Sequence, residues 1–579
     1  MNLKLRVFRM RGPELSNITI VILAFFIISV AVAQAQESDA KQVCPHKPGW
    51  APTEEELNGL ISVSAQLGMG PNLCNVNLVD ANLSNVKLAG ANFSNAFLGR
   101  SNLRGADLTS ANLTDATLGP SDLTDANLAR ANLAGARLTG ANLAGATLKE
   151  ANLTRADVAV ASLTKADLSR ANLTGANLAA AVLNLAKLTG ATLTRTNMSL
   201  TDLTGTDLIA TNLAGADLSR AKLTGANLTG ADLSGVDLTS AKMAGAYLTD
   251  ANLAKATLAK AELTNAELTG ANLTGATLVG ADLSHAKLIR AELSDASLTG
   301  ANLFGADLTS ANLSGADLSD ANLTGAALLH VNLKGAGLAY ATLSDSIYAP
   351  ASAPPDAYVA GIRGLESLAY PKGEEIGLVQ LRELLQKAGL REGERQVTYA
   401  IESGKTKHAL QDWRIDRQGA IEGLFRLVAF DWTTAYGLHP SRALSLLLGF
   451  WLLSIPVYWW SIRDRSRAMD DRAGIYRIWP KERIEVHNSH PGLIADIKIE
   501  RLRGGKLDAL GWAMWYSLLS AFHLGFREFN VGNWISRLHP RQFALEATGW
   551  VRTMSGCQSL LSLYLLAIWV LTYFGRPFP

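Results

Sequence analysis

From Leu73 to Leu343 an apolar residue recurs at every fifth position, 55 consecutive positions without a slip of phase. Leu fills nearly all of them, and the exceptions Phe93, Val158, Met198 and Met243 are apolar too. Two residues earlier stands Ala in most cases, as Ala226 before Leu228; Asn or Asp lies between, and Thr or Ser and then Gly commonly follow. The unit is A-[ND]-L-[ST]-G. In an α-helix, at ~100° per residue, each Leu would sit ~140° from the last and form no stripe. The density of Gly and Asn opposes helix as well. A flat strand fails because five is not a multiple of two. One side of a coil per five residues fits. Leu and the preceding Ala then point inward, the three polar positions point outward, and Gly, Asn and Asp tolerate the corners. This places Leu208, Leu228 and Ala226 in the core and Pro120 at an outward corner, where a missing N–H is tolerable.

With that unit and phase, residues 71–347 resemble the pentapeptide-repeat family. The resemblance implies a mainly β fold, a right-handed quadrilateral β-helix. Four units per coil give ~14 coils, and ~4.8 Å per stacked strand makes a rod ~65 Å long.

Both flanks are patterned differently. Lys4, Arg6, Arg9 and Arg11, an apolar run from Ile18 to about Val32, and Ala33-Gln34-Ala35 read as a signal peptide or an N-terminal anchor over 1–35. Either sends the following segment across a membrane. In 36–70, Thr53 and Glu56 form a capping box, and Leu57, Leu60, Ile61 and Leu67 suit one face of a short helix closing the open end of the solenoid. Cys44 and Cys74 flank this segment, and in an exported region a disulfide between them is expected, with two free thiols as the alternative. Region 348–440 reads as a linker, Ala349–Asp356 with Pro350, Pro354 and Pro355, followed by helical soluble stretches at Glu374–Ala388, Glu394–Ser403 and Ala420–Phe430.

Residues 441–579 carry a membrane pattern. Of 12 Trp only Trp50 precedes residue 413, a split that favours lipid interfaces in the last third. Uncharged runs predict transmembrane helices at about 443–462 and 556–575, and a third run, 509–526, spans, re-enters or lies in the interface. With the repeats outside, the loop 463–506 is cytoplasmic and carries 11 Lys/Arg in 44 residues, against 12 in 97 for 346–442, in agreement with the positive-inside rule. The order span, Trp512–Phe526, span resembles the two-helix pore module of ion channels. At the filter position stand His523, Leu524, Gly525, Phe526 and Arg527. Gly525 and Phe526 match a T-V-G-Y-G filter, whereas Arg527 replaces the second Gly and puts a cation beside a cation path. The stretches Gly549–Arg552 and Tyr573–Phe578 resemble those of bacterial membrane proteins that join pentapeptide repeats to a channel-like C-terminus.

Charge and motifs narrow the chemistry. Some members of the resembled family imitate B-form DNA and inhibit topoisomerases. Residues 73–345 hold 19 Lys/Arg against 23 Asp/Glu, too balanced for a mimic that needs regular negative charge, so no nucleic-acid role is expected. Ser162-Leu163-Thr164-Lys165 spells S-x-x-K but is an ordinary repeat. Ser403-Gly404-Lys405-Thr406 imitates the end of a phosphate loop but has Tyr399 where the earlier Gly belongs. His487 and His490 lack acidic or Cys partners at metal spacing. No enzyme, cofactor or metal site is indicated. The expectation is an integral protein of a bacterial inner membrane displaying a rigid periplasmic rod to a protein or envelope component. The alternative is a homo-oligomeric channel with a degenerate pore.

Overall fold

The structure is a computed structural model and describes residues 44–66, 68, 70–355, 359–436, 438–463, 474–478, 499–501, 506–521 and 544–574. The five-residue unit builds a coil whose parallel bridges join residue i to residue i+20, as in Asn112↔Asn132 and Asn132↔Asn152. Four units therefore make each turn of a stacked β-solenoid.

The unit Ala111–Asp115 shows why the sequence folds this way, because all five of its N–H groups have a destination. Ala111 closes a turn on Leu108 O at 3.0 Å; Asn112 reaches back to Ala91 O at 2.8 Å; Leu113 and Asp115 reach forward to Asn132 O and Ala134 O at 2.7 and 3.0 Å. The remaining N–H, on Thr114, donates to the Asn112 side chain. That is an Asx turn, and it explains Asn or Asp before the Leu: the side chain satisfies a corner amide that the ladder leaves over. The last residue of the unit takes a left-handed φ, +53° at Asp115 and +69° at Gly135, which Gly adopts at no steric cost. Only one residue per side pairs as a bridge, so regular strands are sparse: β1 (Ala327–Leu329) and β2 (Ile347–Ala349), parallel to each other.

Leu208, Leu228 and Ala226 are fully buried in one apolar core that runs without a break from Leu57 to Ile401. In one complete coil all four small inward positions are Thr: Thr196, Thr201, Thr206 and Thr211. Each hydroxyl donates to a main-chain carbonyl, of Leu193, Leu178, Leu183 and Leu208 respectively, so no buried donor is left open. Pro120 departs from expectation. Equivalent residues in neighbouring units donate their N–H to the next coil, as Asp115 does to Ala134 O. The proline therefore deletes a ladder bond rather than occupying a place with an idle amide.

Both ends of the stack are covered. At the N-terminal end α1 (Glu54–Gln66) begins with a reciprocal capping box: Thr53 N–H donates to Glu56 Oε2 at 2.8 Å, and Glu56 N–H to Thr53 Oγ1 at 3.2 Å. Leu57, Leu60 and Ile61 of α1 pack on the first coils. At the other end the ladder outlasts the recognisable repeat. Ser352 pairs with Asn332, Arg363 with Thr342 and Ala369 with Ile347, so the proline-rich stretch read as a linker is partly a last, irregular coil. Tyr348 fills the next Leu position, fully buried. Helices α2 (Ile376–Lys387) and α3 (Arg391–Gln411) then close the stack with Leu378, Leu381, Leu385, Val397 and Ile401. Gly389 ends α2 at φ +72°. Next come α4 (Arg417–Arg426), capped by Asp416 on Gly419 N–H, a π-helical turn at Leu427–Asp431, and a short helical turn at Trp432–Thr434.

The C-terminal part holds α5 (Ser441–Arg463), β3 (Gly474–Ile478), β4 (Ile499–Arg501), α6 (Lys506–Ala521), β5 (Ala544–Thr548) and α7 (Gly549–Phe574). The strands form one antiparallel sheet in the order β4-β3-β5. The charged residues within it, with Arg477 opposite Glu500 across β3 and β4, hide so small a sheet from a search for apolar runs.

Candidate interaction surfaces

A twenty-residue turn decides which outward residues are neighbours, and the four rows of pre-Leu positions differ. One is a ladder of amides: Asn72, Asn92, Asn112, Asn132, Asn152 and Asn172 stand above one another. Asn92 Nδ2 donates to Asn72 Oδ1 at 2.9 Å, and Asn152 to Asn132 at 2.9 Å. Vertical ion pairs join successive coils both on a pre-Leu row, Lys287 on Glu267 at 2.5 Å, and along the corners, Arg100 on Asp80 and Arg130 with Glu150. These balance charge along the surface rather than gathering it.

The twenty-residue turn also assembles an apolar patch that the five-residue rhythm does not reveal. Val160, Ala180 and Leu200 occupy successive corners of one edge, each with a left-handed φ. Val182 and Leu185 extend the patch across the adjoining side, and all four large residues are exposed. Phe97 and Phe304, the outward aromatics of the repeat, are exposed too but fall on different rows. Phe304 meets the His285 ring edge-on at 5.2 Å. Ser162 and Lys165 are a bridge residue and a corner residue of one unit, as any repeat would place them.

Cys44 and Cys74 are paired, with Cα atoms 5.8 Å apart; Cys557 is free and exposed. Ser403–Thr406 lie inside α3 rather than in a loop, with Ser403 and Thr406 buried. Thr406 Oγ1 is 2.5 Å from the Tyr436 hydroxyl, and Gly404 gives room to the ring of Tyr370, whose hydroxyl donates to Ile401 O at 2.8 Å. This segment is the inside of the cap. His487, His490 and the filter-like His523, Leu524, Gly525, Phe526 and Arg527 lie outside the described residues, as does the 1–35 segment.

Two helices, over Ser441–Ile462 and Trp550–Leu571, are long and apolar enough to cross a membrane. Over its described residues α6 is 16 residues long, or ~24 Å at ~1.5 Å per residue. A buried polar cluster ties it to both long helices. Tyr458 of α5 donates to Gln558 Oε1 of α7 at 2.7 Å. Gln558 Nε2 donates to Ser517 O of α6 at 3.1 Å, and Ser517 Oγ to Trp451 O at 3.0 Å. The Tyr458 and Tyr516 rings meet edge-on at 5.0 Å. An apolar cleft of about 440 Å³ opens beside them, lined by Leu444, Leu447, Leu448, Trp451, Leu518 and Ala521.

Segments between residues 72 and 338 match the family described as pentapeptide repeats (8 copies). No curated protein matches the chain. Among solved structures, the chain is similar to HetL of the cyanobacterium Nostoc, a pentapeptide repeat protein involved in heterocyst differentiation regulation. Identity is 30% over 49% of this chain and 96% of that one, with a TM-score of 0.21. A second Nostoc pentapeptide repeat protein, alr5209, is 37% identical over 19% of this chain and 84% of its own, with a TM-score of 0.17. QnrB1, a plasmid-mediated fluoroquinolone resistance protein, is 18% identical over 34% of this chain and 95% of its own, with a TM-score of 0.23. Taken with the unbroken five-residue unit and its twenty-residue coil, the match to the family model makes the chain a member of the pentapeptide-repeat family.

Proposed function

We propose that the protein is a non-catalytic scaffold of a bacterial inner membrane, holding a rigid, four-sided, right-handed solenoid in the periplasm for a protein or envelope component to bind. The observation that carries this reading is the continuous core from Leu57 to Ile401, closed at both ends and followed in the same chain by two membrane-length helices. A stack so closed presents long ordered rows of side chains, and the patch of Val160, Val182, Leu185 and Leu200 is its most apolar outward stretch, the kind of surface that marks a contact site. The paired Cys44 and Cys74 suit an oxidising compartment. An impermeant amine reagent added to intact spheroplasts tests the orientation: it should modify Lys165, Lys242 and Lys260 of the rod and spare Lys481 and Lys498 of the charged loop. The reverse labelling overturns the periplasmic placement. A photo-crosslinker at Leu185 should trap the partner, and Leu200→Asp should abolish the adduct.

A second reading, an oligomeric channel coupled to the rod, is favoured by one observation: the helix α6, between the two long ones in sequence, is joined to both by Ser517 and Gln558. Ion flux through liposomes containing wild type, altered by Arg527→Glu, supports it; absence of flux under every ion gradient excludes it.

A further inference from the structure

Between the cap and the first membrane-length helix lies a segment whose apolar residues face outward. Along α4 and the π-helical turn after it, Ile421, Leu424, Phe425 and Val428 follow the i, i+3, i+4, i+7 spacing of one helical face, and Trp432 continues it. A soluble helix would turn that face to the core. Here the side chains are open: Ile421 is 71% exposed, Leu424 54%, Phe425 62% and Trp432 64%. The opposite side is the packed one, with Gly423 against Ala409 and Leu410 of α3, and Ala429 and Thr433 buried.

What covers the open face is indicated by the neighbours of the segment. Tyr564 of α7 donates its hydroxyl to Ala429 O. Tyr564 stands ~10 Å below Leu571, the last residue of the membrane-length stretch, at ~1.5 Å per residue. An interfacial helix seats its apolar face ~5–10 Å into the boundary between headgroups and acyl chains, the same depth. Leu444, Leu448, Leu453 and Leu571 of the long helices are exposed as well. Just before α4, Trp413 and Ile415 are exposed beside Arg414, whose guanidinium lies 5.6 Å from the Trp413 ring centre, and Arg417 opens the helix. Guanidinium groups at the edge of an apolar face meet phosphate oxygens, and Trp favours the headgroup level.

We infer that residues 413–432 form an in-plane amphipathic anchor, whose Ile421, Leu424, Phe425, Val428 and Trp432 are immersed in the outer surface of the bilayer. The inference rests on the membrane reading of α5 and α7. It gives the rod a second attachment, fixing the cap to the lipid surface instead of leaving it to swing on the chain entering α5.

The test uses the full chain with Cys557→Ser in vesicles of mixed zwitterionic and anionic phospholipid, with a nitroxide on a single new cysteine. Leu424→Cys and Val428→Cys are the probes, Glu422→Cys is the exposed control on the same helix, and Leu453→Cys reports the span. Labels at 424 and 428 should be relaxed by oxygen and protected from a water-soluble nickel chelate, as at 453, while the label at 422 shows the opposite ratio. If 424 and 428 behave like 422 while 453 is in lipid, the anchor is overturned and the membrane reading stands. If 453 is itself open to the chelate, both fall. Shielding of 424 and 428 from both relaxants means that a protein surface, such as a second copy, covers the face, and this too overturns the anchor.

Discussion

At the scale of single residues, the fold asks one unusual thing of its sequence: a left-handed residue at every corner. Gly meets the demand often, but Val160 sits there with φ +58° and an exposed side chain. An L-residue pays ~1–2 kcal/mol in that region, and a β-branched one is the least suited. Val160→Gly removes that strain, loses ~0.5–1 kcal/mol to backbone entropy, and packs nothing less well. A gain of up to about 1 kcal/mol in chemical denaturation is expected, while Gly215→Val, at φ +66°, should lose a similar amount. Tyr348 offers a second test. Its hydroxyl is fully buried without a hydrogen-bond partner, and burial pushes its ionisation far above the ordinary phenol range. Tyr348→Phe deletes an unsatisfied donor at constant shape and should be neutral or stabilising by ~1 kcal/mol. The inward Leu and Ala were legible because they recur at a fixed interval in sequence. Tyr348 was not, because an aromatic residue ends the visible rhythm although the backbone continues it.

At the scale of elements, the Asx turn links the fold to pH. Asp317 is held below the usual carboxylate range by the Ser319 hydroxyl, against the cost of partial burial, with the Ser319 N–H and the Thr299 hydroxyl adding to the effect. At Asp282 partial burial works upward, but donors from Ser284, Thr264 and Asn302 outweigh it and the net shift is again downward. Asp167 and Asp202 are lowered in the same balance. Folded-state values below those of the unfolded chain give stability that is present above pH ~4 and lost as pH falls through the folded values. The melting temperature of the rod should therefore be level near neutrality and fall on acidification below pH ~4; a melting temperature unchanged at the acid end contradicts the role given to these turns. In the C-terminal part, Gln558 is the element-scale joint, reaching both Tyr458 and Ser517. Gln558→Leu should weaken the association of α6 with the long helices by ~0.6–2 kcal/mol, the range of interhelical hydrogen bonds in lipid, read as faster unfolding in detergent titration. Sequence patterning located the long apolar helices because charge interrupts them at both ends. It missed this joint, since one Gln among Ser and Leu carries no periodic signal and its partners lie 100 and 41 residues away.

At the scale of the whole molecule, the outer surface depends on two numbers, five residues per side and twenty per turn. The first is printed in the sequence; the second emerges only when bridges form. This is why the core could be assigned residue by residue while the patch of Val160, Val182, Leu185 and Leu200 could not: its members are scattered along the chain and share a neighbourhood only after coiling. Removing residues 216–235 takes out one whole turn, and removing 216–220 takes out one side. Both shortened proteins keep inward Leu and Ala in phase and should melt cooperatively. Spin labels at Lys165 and His285, which stand at equivalent corners in the intact rod, separate the two cases: the longer deletion should bring them ~4.8 Å closer along the same edge, and the shorter should carry them onto adjacent edges.

The solenoid is thus an indexed shaft. Lengths lost or gained in multiples of twenty change only its reach, whereas a loss of five rotates everything beyond the cut by a quarter turn. Such a stack can vary its height freely, but can vary the heading of any one side only in four discrete settings.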